Sequence, residues 1–314
     1  MNTQLDPSLI SVVLAACNGA RYLAVQLDSV FAQTYPNIEV IAVDDASTDD
    51  SYRILQQYAQ RHPNMRVYRN EENLGYIKNF ERACSLAQGS FIALCDQDDY
   101  WVPQKLERLA ANIGNHPMIY CDSAICNEDL QPTGVQASDR AEMIEITSCL
   151  QQAVVCRVYG HASLFVRQLL QQAAPFPPAL PHDWWLCFVA ANHGGIAYLP
   201  EVLVHYRQHD NNAVGAIGER SRHSGHRTAL HRKWSEVKAI RCRMNLFYKT
   251  CPDTLVQEKG VLKNLAESYG SFSLRHNLKR VQVFMNNQSQ LLAVKKGNGL
   301  RKYIFCLKMF YRIR

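Results

Sequence analysis

Three features that would assign this chain to other classes of protein are missing from it. The first ten residues, MNTQLDPSLI, hold no basic region followed by an apolar one, so we expect no signal peptide. No apolar run reaches about 18 residues, so we expect no transmembrane helix. The 11 cysteines include no CxxC pair and follow no metal-site spacing, which indicates reduced thiols in a cytoplasmic protein.

The composition is that of an ordinary globular protein, with 47% hydrophobic and 20% charged residues in a chain of 314. That length predicts about two domains, or one large α/β domain with an appendage.

The net charge of +6 conceals an asymmetry between the two parts of the chain. Residues 1–218 hold 13 Lys and Arg against 23 Asp and Glu (−10), whereas residues 219–314 hold 21 against 5 (+16). We therefore predict a domain boundary near Gly218, with a different partner for each part.

Short apolar runs alternate with helical periodicity along the first hundred residues. The pattern predicts strands over residues 11–17, 39–44, 65–68 and 91–95, and helices over 21–33, 50–61 and 77–87. Strands that alternate with helices of this length indicate a mostly parallel sheet covered on both faces. Farther along we predict a helix from Pro103 to about residue 115, strands over 118–126 and 160–167, a helix over 183–192, a strand pair or bend around Pro200, and a basic helical region beyond Gly218.

Three of the predicted strands end in polar groups. In open α/β sheets, ligands bind in the crevice outside the carboxyl ends of the strands. The stretch FIALCDQDDYW places three carboxylates within four positions, where they repel one another unless something positive lies among them. Two carboxylates one residue apart can hold a hard divalent cation, Mg²⁺ or Mn²⁺, which would bridge a diphosphate. The alternative is an acidic surface turn that caps the next helix. The polar strand ends are Asn18, Asp44 with Asp45, and Asp96 with Asp98 and Asp99.

The chain resembles glycosyltransferase family 2, specifically its nucleotide-sugar-binding half. The resemblance rests on LAACNGARYLAVQLDSVFAQTYPNIEVIAVDDASTDDS, NEENLGYIKNFERA and FIALCDQDDYW, and it continues through GHASLFVR, HDWW and YRQHDNNAVG. These motifs occur in order over roughly residues 9–215, and the chain is most similar to bacterial rhamnosyltransferase-like members. The resemblance implies an α/β fold of the GT-A type, with a Rossmann-like, mostly parallel mixed sheet flanked by helices. A helical, basic C-terminal region would follow it.

The resemblance implies a donor site at the strand ends. Asp45 would accept a hydrogen bond from the nucleotide base, and Asp96 would lie near the ribose. Lys78 could face a phosphate, although a solvated helix lysine is an equal alternative. Many members have an aromatic residue where this chain has Cys17, so the identity of the base stays open. The other residues expected to border the donor are Ala15, Asn18 and Asn73.

The resemblance also implies a metal site and a catalytic base. Asp98 would ligate Mg²⁺ or Mn²⁺ directly, and His209 would complete the metal shell, although a structural role for this histidine is equally open. Asp183 of HDWW matches the general base of inverting members, and His182 stands where those members have glutamate. Asp183 also suits the N-terminal cap of the predicted helix, and the two roles do not exclude each other.

The implied reaction is an inverting, metal-dependent sugar transfer in bacterial surface polysaccharide synthesis, such as that of O-antigen. The donor would be a UDP- or dTDP-sugar, with rhamnose one candidate, and the acceptor a glycan or a lipid-linked glycan. One alternative is a nucleotidyltransferase, which would need a glycine- and basic-rich loop after the first strand, where this chain has only residues 18–21. The other is a non-catalytic sugar-nucleotide-binding protein, against which the intact Asp98 and Asp183 argue.

The C-terminal stretch KKGNGLRKYIFCLKMFYRIR mixes basic and apolar residues on a predicted helix. This pattern favours a segment attached peripherally to the anionic inner face of the cytoplasmic membrane. The alternative is a helix packed on the catalytic domain with its basic edge in water. No nucleic-acid motif accompanies the charge, so we do not expect a nucleic-acid partner. We expect residues 295–314 to lie apart from the site at the strand ends.

Overall fold

The structure is a computed structural model, and it describes residues 8–209 and 229–311. The domain boundary predicted near Gly218 lies outside these residues, as do the last two basic residues, Arg312 and Arg314. The division into residues 1–218 and 219–314 therefore stays a prediction.

Within the described residues, nine strands form one sheet in the order β3-β2-β1-β4-β8-β6-β9-β5, with β7 paired to β6. Strands β1 to β4 pair in parallel, whereas β8 runs antiparallel to both β4 and β6. This arrangement confirms the predicted α/β fold. The strands are β1 Ile10–Ala16, β2 Ile38–Asp44, β3 Met65–Arg69, β4 Phe91–Cys95, β5 Tyr100–Trp101, β6 Met118–Cys126, β7 Pro132–Gln136, β8 Ser163–Val166 and β9 Ile196–Arg207.

The helices cover the sheet and make up most of the described C-terminal part. No helix among the described residues is long and apolar enough to cross a membrane. The helices are α1 Ala20–Phe31, α2 Ser51–Arg61, α3 Tyr76–Ser85, α4 Lys105–Asn112, α5 Ala137–Arg140, α6 Leu170–Ala173, α7 His182–Asn192, α8 Ala229–Thr250, α9 Val256–Tyr269, α10 Leu274–Asn286, α11 Gln288–Leu291 and α12 Gly299–Lys308.

The structure differs from the sequence prediction at five elements. The helix after Pro103 begins only at Lys105, and GHASLFVR begins as a 3₁₀ turn over Gly160–Ala162 before β8. Residues 196–207 form one continuous strand, not a pair, because the irregularity falls in its register with β6. Strands β5 and β7 were not predicted. The first is only two residues long, and the second is largely exposed, so neither shows a buried apolar pattern.

Helix α7 connects the sheet to the C-terminal helices. Its sequence, HDWWLCFVAAN, is apolar nearly all round, as expected of a helix buried on every side. Phe188 of α7 stacks on Phe247 of α8 with ring centroids 3.9 Å apart. The backbone N–H of Glu142 donates to the carbonyl of Val294, a second link between the two parts. The C-terminal helices therefore share a hydrophobic core with the sheet.

Candidate active site

A cavity of about 1100 Å³ opens at the carboxyl ends of three neighbouring parallel strands. Ala15 and Cys17 at the end of β1, Asp45 after β2, and residues 96–98 after β4 all line it. This confirms that polar groups meet at the sheet edge, because the carboxyl ends of parallel strands lie side by side. Residues 154–161, the first turn of α7, α8, Lys295 and Phe305 also line the cavity.

The expected separation of residues 295–314 from this site is wrong. Lys295 and Phe305 line the same cavity as the strand ends, together with four residues of α8. They reach it because Cys306 and Met309 anchor α12 in the shared core. Sequence periodicity could not show this, since the contact joins segments about 200 residues apart.

Two of the predicted donor-binding residues do not line the cavity. The N–H of Asn18 donates to the hydroxyl of Ser47 at 2.9 Å, and its side-chain oxygen accepts the N–H of Thr48 at 2.8 Å, so Asn18 ties the end of β1 to the loop after β2. Lys78 donates to the carboxylate of Glu81, one helical turn away. Their roles in donor binding stay predictions. Ala15, Asp45 and Asn73 do line the cavity.

Asp45 is buried and holds the loop that precedes α3. Its Oδ1 accepts hydrogen bonds from the side chain of Asn70 at 2.6 Å and the N–H of Leu74 at 2.9 Å, and its Oδ2 accepts the N–H of Gly75 at 2.9 Å. A carboxylate has about four lone-pair sites, so a further acceptor position remains on Oδ2. Asp44 instead accepts the N–H of Ser47 at 3.1 Å and so stabilises the turn that follows β2.

Gln97, the middle residue of the acidic turn, joins that turn to the end of β1. Its Oε1 accepts the N–H of Cys17 at 2.8 Å, and its Nε2 donates to the carbonyl of Cys17 at 3.1 Å. This side chain lies so close to Gly19 that an added Cβ there would come within 2.2 Å of Oε1. Glycine at position 19 therefore permits the two strand ends to approach each other.

Groups of the chain itself offset part of the negative charge of the acidic turn. Nε2 of His209 lies 2.8 Å from Oδ2 of Asp98, so the structure brings together the two residues predicted to hold a metal. Asp99 accepts the backbone N–H of Arg207 at 3.0 Å. The guanidinium of Arg207 in turn donates to the carbonyl of Asp98 at 2.6 Å.

His161, to which the sequence assigned no role, lies behind the acidic turn. Its Nδ1 is 3.6 Å from Oδ2 of Asp96 and 3.5 Å from Oδ2 of Asp99. Ligand atoms of these three side chains all lie within 4.8 Å of one another. Burial alone would lower the pKa of His161, but the two carboxylates more than offset it and raise the pKa. A histidine beside a buried strand gives no sequence signal of such partners.

Lys105 at the start of α4 is fully buried beneath this cluster. Its Nζ donates to the carbonyl of His161 at 2.6 Å and lies 3.0 Å from the ring centroid of Trp101. Burial lowers the pKa of Lys105 to about 7, against the attraction of nearby thiols and carboxylates. Burial also raises the pKa of Asp99 to about 8; His161 opposes that rise, and the other two aspartates of the turn add to it.

The donor atoms at this turn fit a hard divalent cation. Asp96 keeps 40% of its side chain exposed and faces the cavity, and Asp98 lines the same wall. Oδ2 of Asp99 is buried and accepts no hydrogen bond from the described residues. Carboxylate oxygens with an imidazole nitrogen suit Mg²⁺ or Mn²⁺.

Asp183 lies in the first turn of α7, on the wall of the cavity. The helix begins at His182 with Pro181 as its N-cap, so Asp183 is not the cap itself. Its Oδ1 accepts the N–H of Trp184 at 2.7 Å. The positive end of the helix dipole favours a carboxylate here.

His182 precedes Asp183 in the first turn of α7 and lines the cavity. It is buried and stacks on Phe80 with ring centroids 4.1 Å apart. Burial lowers the pKa of His182, although Asp183 and Asp96 both act to raise it. A neutral imidazole therefore stands where the resemblance implies a glutamate, with Asp183 and Asp96 both close enough to act on its charge.

Residues 11–172 match the model of Glycosyl transferase family 2. The match covers more than half of the chain, and the protein belongs to this family. An uncharacterized protein of Mycobacterium tuberculosis is 32% identical over 210 residues, which are 64% of this chain and 59% of that protein. A putative teichuronic acid biosynthesis glycosyltransferase, TuaG of Bacillus subtilis, is 39% identical over 32% of this chain and 40% of its own length. The alignment thus spans about three fifths of the mycobacterial relative.

Two solved structures share the fold. Residues 1–349 of S. aureus TarS, in complex with UDP-GlcNAc, align with 97% of this chain and 81% of that chain, with a TM-score of 0.59 and 18% identity. The mannosyltransferase PcManGT of Pyrobaculum calidifontis, in complex with GDP-Man and Mn²⁺, aligns with 99% and 86%, with a TM-score of 0.54 and 16% identity. Both alignments extend through the C-terminal helices, and they confirm the GT-A fold.

Proposed function

We propose that this protein is a glycosyltransferase that moves a sugar from a nucleotide diphosphate-sugar to an acceptor hydroxyl, with inversion at the anomeric carbon. The observation that carries the proposal is the convergence of Asp96, Asp98 and Asp183 on one cavity at the carboxyl ends of the strands. A family relative named for teichuronic acid biosynthesis supports a role in bacterial surface polysaccharide synthesis.

The donor would lie across the ends of β1, β2 and β4. Asp45, with its remaining lone pair, would accept a hydrogen bond from the base, and Asp96 would lie near the ribose. The complexes of TarS with UDP-GlcNAc and PcManGT with GDP-Man support a nucleotide-sugar donor. We propose a UDP- or dTDP-sugar, with rhamnose as the first sugar to test.

Asp98 and His209 would hold Mg²⁺ or Mn²⁺, with Asp96 beside them. When bound, the cation would neutralise the charge that develops on the departing diphosphate. His161 would keep the acidic turn in place from behind, because its raised pKa favours the positive form, which reduces the repulsion among the carboxylates. Lys105 would support His161 through the hydrogen bond to its carbonyl. The Mn²⁺ bound with GDP-Man in the PcManGT complex supports this choice of ion.

Asp183 would act as the general base. The N–H of Trp184 fixes one oxygen of its carboxylate, which orients the other for the proton of the acceptor hydroxyl. The acceptor oxygen forms a bond to the anomeric carbon as the bond to the diphosphate breaks, and the proton passes to Asp183. His182, held neutral by burial, adds no positive charge that would weaken the base.

The substitution Asp183→Asn tests this assignment. We expect turnover to fall by roughly 10²–10⁴, the usual contribution of a general base, because the amide cannot accept the proton. Donor binding, measured by thermal shift with the nucleotide and Mn²⁺, should stay unchanged. Asp129→Asn, in an exposed turn away from the cavity, is the matched control and should keep full turnover. Retained turnover with a lowered melting temperature in Asp183→Asn would show that Asp183 only stabilises α7.

We further propose that α12 attaches the protein to the inner face of the cytoplasmic membrane. One side of this helix is anchored in the core, and the opposite side presents an exposed apolar stripe. Basic residues flank the stripe, as in helices that lie on anionic lipid surfaces. The stripe consists of Leu300, Tyr303, Ile304 and Leu307, continued by Tyr311 just beyond the helix, and its basic neighbours are Arg301, Lys302 and Lys308.

A further inference from the structure

One wall of the cavity is basic. It carries Arg157, Arg243 and Lys295, and Glu236 is the single acid among the described lining residues that come from the C-terminal helices. The strand-end wall, by contrast, carries Asp45, Asp96 and Asp98. The two walls of one cavity therefore differ in charge.

Aromatic rings hold two of these cations in place. The guanidinium carbon of Arg243 lies 4.3 Å from the ring centroid of Trp184, and Nζ of Lys295 lies 4.7 Å from that of Phe305. Such stacking restrains the position of a cation, because the face of the ring attracts it. Both rings line the cavity as well, so the wall combines apolar surface with basic side chains.

The basic wall adjoins the proposed base. Trp184 directly follows Asp183 in α7, and Arg243 packs on its ring. An acceptor hydroxyl must reach Asp183, so the rest of the acceptor extends toward this wall. A guanidinium recognises carboxylate and phosphate through paired hydrogen bonds, which a neutral sugar cannot return with equal strength.

We propose that the acceptor is an anionic saccharide or polyol, carrying a carboxylate or a phosphate that Arg243 and Lys295 bind. This inference rests on the proposed transferase function of the same cavity, since it assigns the wall next to Asp183 to the acceptor. It names a class of substrate that membership of the family leaves open.

Three matched probes test the charge preference directly: p-nitrophenyl glucoside, the corresponding glucuronide, and the glucoside 6-phosphate. Their binding would be measured by NMR titration of the full chain in the presence of UDP and Mn²⁺. We expect one or both anionic probes to bind about tenfold more tightly than the neutral one, as a hydrogen bond between charged groups provides. Comparison of the affinity for the glucuronide with that for the glucoside 6-phosphate shows whether the site prefers a carboxylate or a phosphate.

Substitutions assign the preference to the wall. Arg243→Gln and Lys295→Gln should each remove most of the preference for the anionic probe and leave UDP affinity unchanged. Arg243→Lys should keep part of the preference, because the positive charge remains. This conservative variant shows whether the effect of Arg243→Gln comes from the lost charge or from loss of the fold. Arg275→Gln is the matched control, because Arg275 is exposed on α10 and does not line the cavity. It should change neither the preference for the anionic probe nor the affinity for UDP.

Two results would overturn the inference. Equal binding of neutral and anionic probes to the wild type would show that the wall does not select charge. A loss of UDP affinity in Arg243→Gln as large as the loss of anionic-probe affinity would show that these cations serve the donor diphosphate. Failure of the transferase proposal looks different: neither UDP nor dTDP would bind the wild type with Mn²⁺, or Asp183→Asn would keep full turnover, whatever the probes do.

Discussion

Gln97 and Gly19 show how a single side chain fixes the distance between two strand ends. The amide of Gln97 makes two hydrogen bonds to the backbone of Cys17, one as acceptor and one as donor. Those bonds place the acidic turn after β4 against the end of β1, where the donor would lie. The amide group of Gln97 occupies the space that a Cβ at Gly19 would need.

Gly19→Ala should therefore weaken donor binding. The new methyl would lie within 2.2–2.8 Å of the Gln97 amide, which must swing away and release Cys17. We expect a loss of stability of about 1–3 kcal/mol, the usual cost of overpacking, together with a weaker thermal shift by UDP and Mn²⁺. Denaturant unfolding and the shift assay measure the two effects.

Gly260→Ala is the matched control for this substitution. It lies inside α9 with nothing within 4 Å of an added Cβ, so alanine should stabilise the protein by about 0.5–1 kcal/mol. The double variant Gly19→Ala, Gln97→Ala should fold as stably as Gln97→Ala alone, because the collision is gone. An unchanged UDP shift in Gly19→Ala would refute the link between this contact and the donor site.

Asp98→Asn tests the proposed metal site at the level of one charge. The amide keeps the shape of the side chain but removes the negative charge that would bind the cation. We expect activity to fall by at least about 10², the scale on which a charge stabilising the leaving group contributes. Activity assays over a range of Mn²⁺ concentrations, with EDTA as the zero point, measure this. Wild-type activity in EDTA would disprove the need for a cation.

The residues of the site differ in how visible they were in the sequence. Asp98 and His209 are 111 positions apart, yet the family resemblance predicted that they would meet, and they do. His161 and Lys105 carried no such signal, because the groups that they contact are distant in sequence and come together only in the folded structure. Their positions depend on how β8 and α4 pack beneath the turn, which periodicity alone does not specify.

At the scale of elements, α12 has two different faces. Cys306 and Met309 are fully buried in the shared core, whereas Leu300 and Tyr311 are about two thirds exposed on the opposite side. Both alternatives drawn from the sequence thus describe part of this helix. Its buried side packs on the protein. Its other side presents apolar side chains with basic neighbours, and attachment of that side to a membrane stays a proposal.

The double substitution Ile304→Ser, Leu307→Ser tests the exposed face without removing the helix. We expect full-length protein to sediment with vesicles that contain anionic lipid, and the variant to sediment less, because burial of each of these side chains contributes about 1.5–3 kcal/mol. Binding should also weaken as salt rises, since the attraction of the basic neighbours is screened. Truncation of residues 295–314 is unsuitable, because Lys295 and Phe305 line the cavity.

Leu274→Ser provides the control for vesicle binding. Leu274 is 66% exposed on α10, so it matches the stripe in exposure but has no place in it. It should sediment as the wild type does. Equal sedimentation of the wild type and of the stripe variant at low salt would show that the face of α12 does not bind lipid.

The secondary structure of the first hundred residues followed from apolar periodicity, and the reason lies in the sheet. Strands β1 and β2 are buried on both faces, so their sequences are apolar runs whose ends the turn residues mark clearly. Strand β7 is mostly exposed, and its sequence, PTGVQ, carries no apolar alternation. Its position depends on pairing with β6, a tertiary contact that a local pattern cannot express.

At the scale of the whole molecule, one hydrophobic cluster runs from the sheet into the C-terminal helices. Val13 of β1, Phe188 of α7 and Phe247 of α8 all belong to it. The change in charge near Gly218 marks a change of surface, and a surface change does not require separate cores. We therefore expect the described N- and C-terminal parts to unfold together.

Phe247→Ala tests this cooperativity. Phe247 is fully buried and stacks on Phe188 at 3.9 Å, so its truncation should cost about 3–5 kcal/mol through lost burial and a cavity. Urea unfolding followed by tryptophan fluorescence and by far-ultraviolet circular dichroism should show one transition, shifted equally in both signals. Leu278→Ala, on the exposed side of α10, should shift the midpoint by no more than about 0.5 kcal/mol of stability. Two separate transitions, only one of them moved by Phe247→Ala, would show that the C-terminal helices fold independently of the sheet, and the division at residue 218 would then describe two folding units.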